Sequence, residues 1–281
     1  MVLGRIKARY GRPTVRRGLE APVGLVATDV SLSGLDGGTL RGWFCRPEGA
    51  AGAAGAPGAP GAPGAVVLHG WGGAAADMVP VAQPLIDVGV HTLLLDARCH
   101  GRSDDADFTS MPSFAADVAT GVRWLREQPG VDPGRVLLAG HSVGAGACLL
   151  AARDDPRIAA VISLSSMADP REVMARLLAG GRVPRPFVPV ALRVVEHIIG
   201  ARFADFAPLA TLAALEVPVL LAHGAEDEVI PVGDVRRLAR VARDPTVLVV
   251  AGAGHAGAAD ATVLADAIRA FARRAVPDGC A

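Results

Sequence analysis

Short apolar runs alternate with helical segments over most of this 281-residue chain, and the alternation limits its fold more than any other feature. Six runs of six to eight residues are largely apolar, and segments with the apolar spacing of helices follow most of them. The runs are AVVLHG at 65–70, HTLLLDA at 91–97, RVLLAG at 135–140, IAAVISLS at 158–165, VPVLLAHG at 217–224 and TVLVVAG at 246–252. Continuous apolar strands that alternate with helices predict a mostly parallel sheet covered on both faces.

Three segments depart from the alternation and define the predicted domain organisation. An interval at about 167–215 holds several prolines and apolar helical stretches, and we expect it to form a small helical cap insertion. The repeat GAAGAAGAPGAPGAPGA at 49–65 lies between two strand-like runs, TLRGWFCRP at 39–47 and AVVLHG, and cannot bury a core, so it predicts a flexible surface loop. Residues 1–20 form a basic tail, either solvated or packed at an edge, with contact to a membrane surface or partner as the alternative. The domain itself is expected to span 21–281.

Charge and cysteine content exclude several classes of function. Lysine plus arginine equals aspartate plus glutamate at 28 each, so the chain has no net positive charge that would attract nucleic acid. No stretch approaches the roughly 20 apolar residues of a membrane span, and no apolar stretch follows the basic start as in a secretory signal. The four cysteines lack C-x-x-C spacing and indicate neither zinc nor a disulfide framework. We expect a cytoplasmic protein with no nucleic-acid partner.

The stretch LLAGHSVGAGACLLAA, residues 137–152, places Ser142 between two glycines, each two residues away. In a chain with 34 glycines the G-x-S-x-G pattern alone carries little weight. Its context carries more, because a buried strand is predicted directly before the serine and a helix directly after it. Gly140 and Gly144 let strand and helix approach closely around a strained turn that holds the hydroxyl out. We therefore predict that Ser142 is a nucleophile at the carboxyl edge of the sheet.

A serine hydroxyl needs a base to take its proton and an acid to orient that base. Among seven histidines, His255 lies in a glycine loop after the last strand and before the last helix, which fits the chain order nucleophile, acid, base. The acid is expected at the end of the preceding strand, where LLAHGAEDEVIP offers Glu226, Asp227 and Glu228. Sequence position does not decide which of these three is the acid. Asp169, which follows an earlier strand, is a further alternative.

The remaining part of such a site is an oxyanion hole, which needs two converging N–H groups. The residue after the nucleophile, Val143, is expected to supply one, and Trp71 in the loop LHGWGG at 68–73 the other. The alternative is a plain glycine turn with a packed tryptophan. His141, beside the serine, is expected to point away from it on the turn. Three histidines that each precede a glycine just beyond a strand are expected to border the site: His69, His100 and His223.

Five stretches together resemble the α/β-hydrolase family, in its serine-hydrolase branch of esterases, lipases and acylaminoacyl-type peptidases. They are HGWGG, DARCHGRSDD, GHSVG, FAPLATLAALEVPVLLAHGAEDEVIP and GAGH. The resemblance covers roughly residues 25–275 and implies the α/β-hydrolase fold, with no metal and no organic cofactor. In similar proteins the acid is the aspartate of an H-G-x-x-D-x-x-x-P-like turn, which corresponds to Asp227. One departure is Cys99, where relatives commonly have glycine, and this change can alter the rim of the site.

These observations predict a hydrolase that cleaves small-molecule carboxylic esters through an acyl-enzyme on Ser142. Amides or thioesters are the near alternative, because the first half-reaction is the same. An aminopeptidase would need acidic residues of the insertion to face the site, and three are available: Glu172, Glu196 and Asp205. The alternative from another class is a catalytically silent binding protein with the same fold.

The insertion also carries more apolar residues than one packed helix face requires. The stretch RPFVPVALRVVEHIIGARFADF at 185–206 has adjacent apolar pairs, so a helix there is apolar on more than one face. We expect the inner face of this cap to form an apolar acyl pocket above Ser142. The alternative is that the surplus residues bury an interface with the domain or with a second copy of the chain.

Overall fold

The computed structural model describes residues 11–13, 20–47, 61–181, 183–257 and 262–277. Within them, eight strands form one sheet in the order β1-β2-β4-β3-β5-β6-β7-β8. The strands are β1 Ala27–Ser33, β2 Thr39–Cys45, β3 Ala62–Leu68, β4 His91–Asp96, β5 Val131–His141, β6 Ile158–Leu164, β7 Val219–Gly224 and β8 Pro245–Val250. Strand β2 is antiparallel to β1 and to β4, and all other neighbouring pairs are parallel. This is the mostly parallel sheet that the sequence predicts.

Helices cover both faces of the sheet. Within the described ranges they are α1 Val79–Ile86, α2 Met111–Arg126, α3 Val143–Asp154, α4 Pro170–Gly180, α5 Val188–Ile199, α6 Phe203–Phe206, α7 Pro208–Ala213, α8 Gly233–Val241 and α9 Thr262–Ala275. Side chains of β3 alternate between two cores, with Val66 and Leu68 in one and Ala65 and Val67 in the other. The first core includes residues of α2, α3 and α8, and the second includes residues of α1 and α9.

All six of these predicted apolar strands are present within four residues of their predicted bounds. Five of them contain runs that are buried on both faces, whereas β8 lies at an edge of the sheet and exposes Val247 and Val249. Strand β2 corresponds to the strand-like run at 39–47, and strand β1 is absent from the sequence prediction. It is an antiparallel edge strand in which only Leu32 is fully buried, so it lacks the continuous apolar run that marks the others. Strand β3 begins at Ala62, inside the segment predicted as a loop over 49–65. The rest of that segment up to residue 60 and most of the 1–20 tail lie outside the described residues.

The expected insertion contains helices α4 to α7, between β6 and β7. Part of its apolar surplus packs into the first core, where Leu192, Val195, Phe203 and Phe206 are buried. Others, such as Phe187 and Val190, remain exposed. Core packing therefore accounts for some of the residues expected to line a pocket. The described residues contain no helix that is both long and apolar enough to span a bilayer.

Candidate active site

Ser142 occupies a strained turn between β5 and α3. Its backbone has φ 55° and ψ −117°, outside the regions that non-glycine residues usually adopt. A Cβ on Gly140 would lie 2.4 Å from the carbonyl oxygen of Gly144, and a Cβ on Gly144 would lie 2.3 Å from that of His69. Both glycines are thus required by close approach of backbone. The Ser142 N–H donates to the Leu164 carbonyl at 2.8 Å, which ties the turn to the end of β6.

Three side chains from distant parts of the chain form a hydrogen-bonded row at this edge of the sheet. The Oγ of Ser142 lies 3.1 Å from Nε2 of His255, and Nδ1 of His255 lies 2.7 Å from Oδ2 of Asp227. Because a carboxylate only accepts, Nδ1 carries the proton in neutral His255 and Nε2 has its lone pair toward the serine. The side chain of His255 is 16% exposed, whereas that of Asp227 is 0% exposed, so the carboxylate end of the row is shielded from solvent.

The carboxylate of Asp227 is held by backbone as well as by imidazole. Its Oδ1 accepts from the N–H groups of Val229 and Ile230 at 2.9 and 2.8 Å. Burial alone would raise the pKa of Asp227, but the hydrogen bonds from His255 and from these two N–H groups outweigh it and lower the pKa below its usual value. Asp227 is therefore ionised at neutral pH. Its neighbour Glu226 is exposed.

The other acids considered from the sequence lie elsewhere. Glu228, like Glu226, is exposed beside the turn, and the structure brings neither to the imidazole of His255 in a hydrogen bond. Asp169 caps helix α4, where its side chain accepts from the Arg171 N–H at 2.8 Å. Among the described acids, Asp227 alone is hydrogen-bonded to the His255 ring.

The two expected oxyanion donors lie at the ends of β3 and β5. Val143 is the first residue of α3, and the first N–H groups of a helix have no intrahelical acceptor. The loop that carries Trp71 is ordered by His69, which is buried: its Nδ1 lies 2.7 Å from the Gly70 carbonyl, and its Nε2 accepts from Ala97 N–H at 3.0 Å. Burial lowers the pKa of His69 to about 4, so this imidazole stays neutral. The Trp71 side chain remains 40% exposed.

The histidines expected to border the site do so in different ways. His100 packs edge-on against the Trp71 ring, with centroids 5.6 Å apart. His223 is buried beside the acid, with Nε2 at 2.9 Å from the Ile230 carbonyl and 3.2 Å from Oδ2 of Asp227. Sequence reasoning placed His223 near the site without giving it this second contact with the carboxylate.

Two contacts to the main chain of His255 are also missing from the sequence prediction. The Nε2 of His141 lies 2.9 Å from the His255 carbonyl oxygen, and the Ser165 hydroxyl donates to the same oxygen at 3.3 Å. His141 thus contacts the residue that faces Ser142. Every residue type carries the same main-chain carbonyl acceptor, so no feature of the sequence at position 255 predicts these two hydrogen bonds.

The row of a hydroxyl, an imidazole and a buried carboxylate is suited to proton transfer from the hydroxyl. No group of three or more histidine, cysteine or acidic side chains in the part of the chain that the structure describes is arranged to hold a metal ion. The sheet order, with helices on both faces and a serine on the turn after β5, defines an α/β-hydrolase.

The chain has the α/β-hydrolase fold. Its residues 63–202 match the family model described as serine aminopeptidase, S33. An uncharacterised protein of Mycobacterium tuberculosis is 29% identical over 209 residues, which cover 73% of this chain and 68% of that protein.

Two solved structures are similar to this one. Est1E of Butyrivibrio proteoclasticus, solved with ferulic acid bound, has a TM-score of 0.68 at 20% identity, over 89% of this chain and 100% of that chain. The Pyrococcus furiosus esterase Pf2001 has a TM-score of 0.70 at 20% identity, over 95% of this chain and 99% of that chain. At this identity both likenesses establish a shared fold.

Proposed function

We propose that this protein is a serine hydrolase that cleaves carboxylic esters of small to medium apolar acyl groups. Ser142 is the nucleophile, His255 the general base and Asp227 the acid that orients it. The observation that carries the proposal is the row of hydrogen bonds from Ser142 Oγ through the imidazole to a buried carboxylate. A serine hydroxyl without such a base is a poor nucleophile, and this row supplies one.

In the acylation step, His255 Nε2 takes the Ser142 proton as Oγ attacks the acyl carbonyl carbon. The negative oxygen that forms accepts hydrogen bonds from the N–H groups of Val143 and Trp71. The carbon–oxygen bond to the alcohol then breaks, and the leaving alcohol takes its proton from His255. The product of this half-reaction is an ester of Ser142.

In deacylation, a water attacks the acyl carbon while His255 takes its proton, and the proton passes to Ser142 as the acid departs. Asp227 keeps its negative charge throughout. It holds Nδ1–H in place and stabilises the imidazolium that forms in both steps. Its lowered pKa supports this role, because a protonated carboxyl would not favour the charged ring.

We propose that the helical insertion acts as a cap over the site. It leaves the sheet at the carboxyl end of β6, the strand whose Leu164 carbonyl accepts from Ser142 N–H at 2.8 Å. A Cβ on Gly146, in the helix that follows the nucleophile, would lie 3.2 Å from a side-chain atom of Pro208. The insertion therefore packs on the nucleophile's own helix.

Ester cleavage is favoured over aminopeptidase activity by the acids of the insertion. A receptor for a substrate ammonium group needs a carboxylate that is not already engaged. All three candidates contact arginines of this chain: Glu172 with Arg237 at 2.9 Å, Glu196 with Arg171 at 3.8 Å, and Asp205 with Arg202 at 2.9 Å. The two structural neighbours described above include an esterase by name, which agrees with this choice.

The test is a panel of p-nitrophenyl esters assayed beside aminoacyl p-nitroanilides and acyl thioesters, with Ser142→Ala as the control. We expect turnover of esters to exceed that of the amides, and Ser142→Ala to lose on the order of 10⁴-fold or more. A fluorophosphonate should label the wild type and not the variant. Faster turnover of the anilides than of the esters would show that the protein is a peptidase. Absence of both labelling and turnover would support the catalytically silent binding protein.

A further inference from the structure

The carbonyl oxygen of His255 accepts two hydrogen bonds from outside its own loop. His141 Nε2 lies 2.9 Å from it, and the Ser165 hydroxyl lies 3.3 Å from it. A carbonyl oxygen can only accept, so Nε2 of His141 carries the ring proton and Nδ1 does not. Burial lowers the pKa of His141, which keeps its ring neutral and in this tautomer.

His141 is the residue before the nucleophile, and its ring lies between two loops of the site. The ring centroids of His141 and His255 are 4.8 Å apart. On its other side, Nδ1 of His141 lies 2.9 Å from where a Cβ on Gly70 would be, in the loop that leads to Trp71. One side chain thus contacts both the loop of the base and the loop of the oxyanion donor.

In its described part, residues 251–257, the loop that carries His255 is held by backbone hydrogen bonds at its start, among them Ala253 N–H to the Val250 carbonyl at 3.4 Å. It follows the end of β8 at Val250, passes through Gly252 in a left-handed conformation with φ 72°, and reaches His255 before α9 begins. A backbone bond from Glu226 N–H to the Ala253 carbonyl, at 2.9 Å, holds its start. The bonds from His141 and Ser165 hold the main chain at His255 itself.

We propose that His141 is a positioning residue for the base: its hydrogen bond to the His255 carbonyl sets the distance between His255 Nε2 and Ser142 Oγ. Ser165 is the second, weaker donor to the same oxygen. The proposal rests on the function proposed above, in which His255 is the general base. Because an error of about 1 Å in the placement of a catalytic group can cost about 100-fold in rate, this bond acts on kcat.

The primary variant is His141→Phe, which retains a ring of similar size and removes the donor. We expect kcat to fall about 10- to 100-fold, with KM and the midpoint of thermal unfolding close to those of the wild type. His141→Gln retains a side-chain N–H donor and should recover a large part of the loss. Ser165→Ala removes only the longer bond and should lower kcat about threefold.

A double-mutant cycle separates positioning of the base from any other role of His141. In a His255→Ala background, whose residual rate depends on the oxyanion donors and not on a base, His141→Phe and Ser165→Ala should change kcat by less than twofold. If His141→Phe lowers kcat as much in that background as in the wild type, His141 acts through its contact with the Gly70 loop or by stabilising the folded structure. The proposal is then wrong. It is also wrong if His141→Phe and Ser165→Ala each retain wild-type kcat.

The same experiment distinguishes failure of this inference from failure of the proposed function. Retention of activity by Ser142→Ala and His255→Ala overturns the function, and the inference with it. Loss of activity in both, with wild-type rates in the His141 and Ser165 variants, overturns the inference alone. If His141→Phe does not fold, the double-mutant cycle is measured with His141→Gln and Ser165→Ala instead.

Discussion

Nδ1 of His255 lies 2.7 Å from Oδ2 of Asp227, a carboxylate with no exposed side-chain surface. Asp227→Asn should lower kcat on the order of 10⁴-fold, because an amide can stabilise the wrong imidazole tautomer. The exposed neighbours provide matched controls, and Glu226→Gln and Glu228→Gln should each cost less than about tenfold. The measurement is kcat of the wild type and the three variants from steady-state kinetics on a p-nitrophenyl ester. A severe effect at either glutamate would reassign the acid.

The lowered pKa of Asp227 links stability to pH. The folded carboxylate binds a proton less tightly than the unfolded one, so its contribution is fully present above the unfolded value of about 3.9 and is lost as pH falls through the folded pKa. Urea unfolding of the wild type and Asp227→Asn, followed from pH 7 to about pH 2.5, measures this. Relative to the variant, the wild type should lose stability only below about pH 5. A difference that stays constant across the range contradicts the prediction.

The close approach of α3 to the end of β3 predicts a steric effect at Gly144. In Gly144→Ala the new methyl would lie 2.3 Å from the His69 carbonyl oxygen, so strand and helix must move apart. We expect a loss of about 1–3 kcal/mol in the free energy of unfolding and reduced turnover from a displaced Ser142. Gly180→Ala is the control, since a Cβ there meets nothing within 4 Å, and it should be neutral or stabilising by up to about 1 kcal/mol. Equal stability of the two variants would exclude the steric explanation.

A buried ion pair between the end of β4 and helix α2 predicts a larger loss of stability than the change at Gly144. Asp117, with no exposed side-chain surface, pairs with Arg98 at 2.6 Å, and burial raises the pKa of this carboxyl despite the arginine. Asp117→Ala would leave the guanidinium without its buried partner and should cost about 3–5 kcal/mol. Asp36, which pairs with the same arginine at 2.7 Å from a half-exposed position, is the matched control. Asp36→Ala should cost less than about 1 kcal/mol in urea unfolding, and a comparable loss in both variants would contradict the argument.

The proposed acyl pocket predicts a dependence on chain length. Burial of a methylene contributes about 0.8 kcal/mol, so kcat/KM should rise about fourfold for each added CH₂ until the pocket is filled. The measurement is a series of p-nitrophenyl esters from acetyl to hexanoyl, with alcohol and solvent held constant. Equal kcat/KM for the acetyl and hexanoyl esters would contradict the acyl pocket. The exposed Phe187 and Val190 would then be ordinary surface residues of the cap.

The sequence predicted most of the sheet because its central strands are buried on both faces, and continuous apolar runs of this kind have few alternatives. Strand β8 was predicted from its apolar run although Val247 and Val249 in it are exposed. The edge strand β1 escaped prediction because only Leu32 in it is fully buried. The glycine pattern between a strand and a helix selected Ser142, and chain order selected His255. The choice among the three acids at 226–228 needed either a family resemblance or the burial that only the structure provides. The bond from His141 to a carbonyl oxygen could not be predicted, since main-chain acceptors are the same at every residue.

The hydrogen bonds of the site join residues that are far apart along the chain. His255 is 28 positions from Asp227 and 113 from Ser142, and these residues meet only where β5, β7 and β8 have taken their places in one sheet. Contacts of such long range form late, since much loop-closure entropy must be lost before they contribute. Recovery of esterase activity during refolding should therefore follow completion of the whole sheet, and the enzyme's own turnover becomes a reporter of its folding.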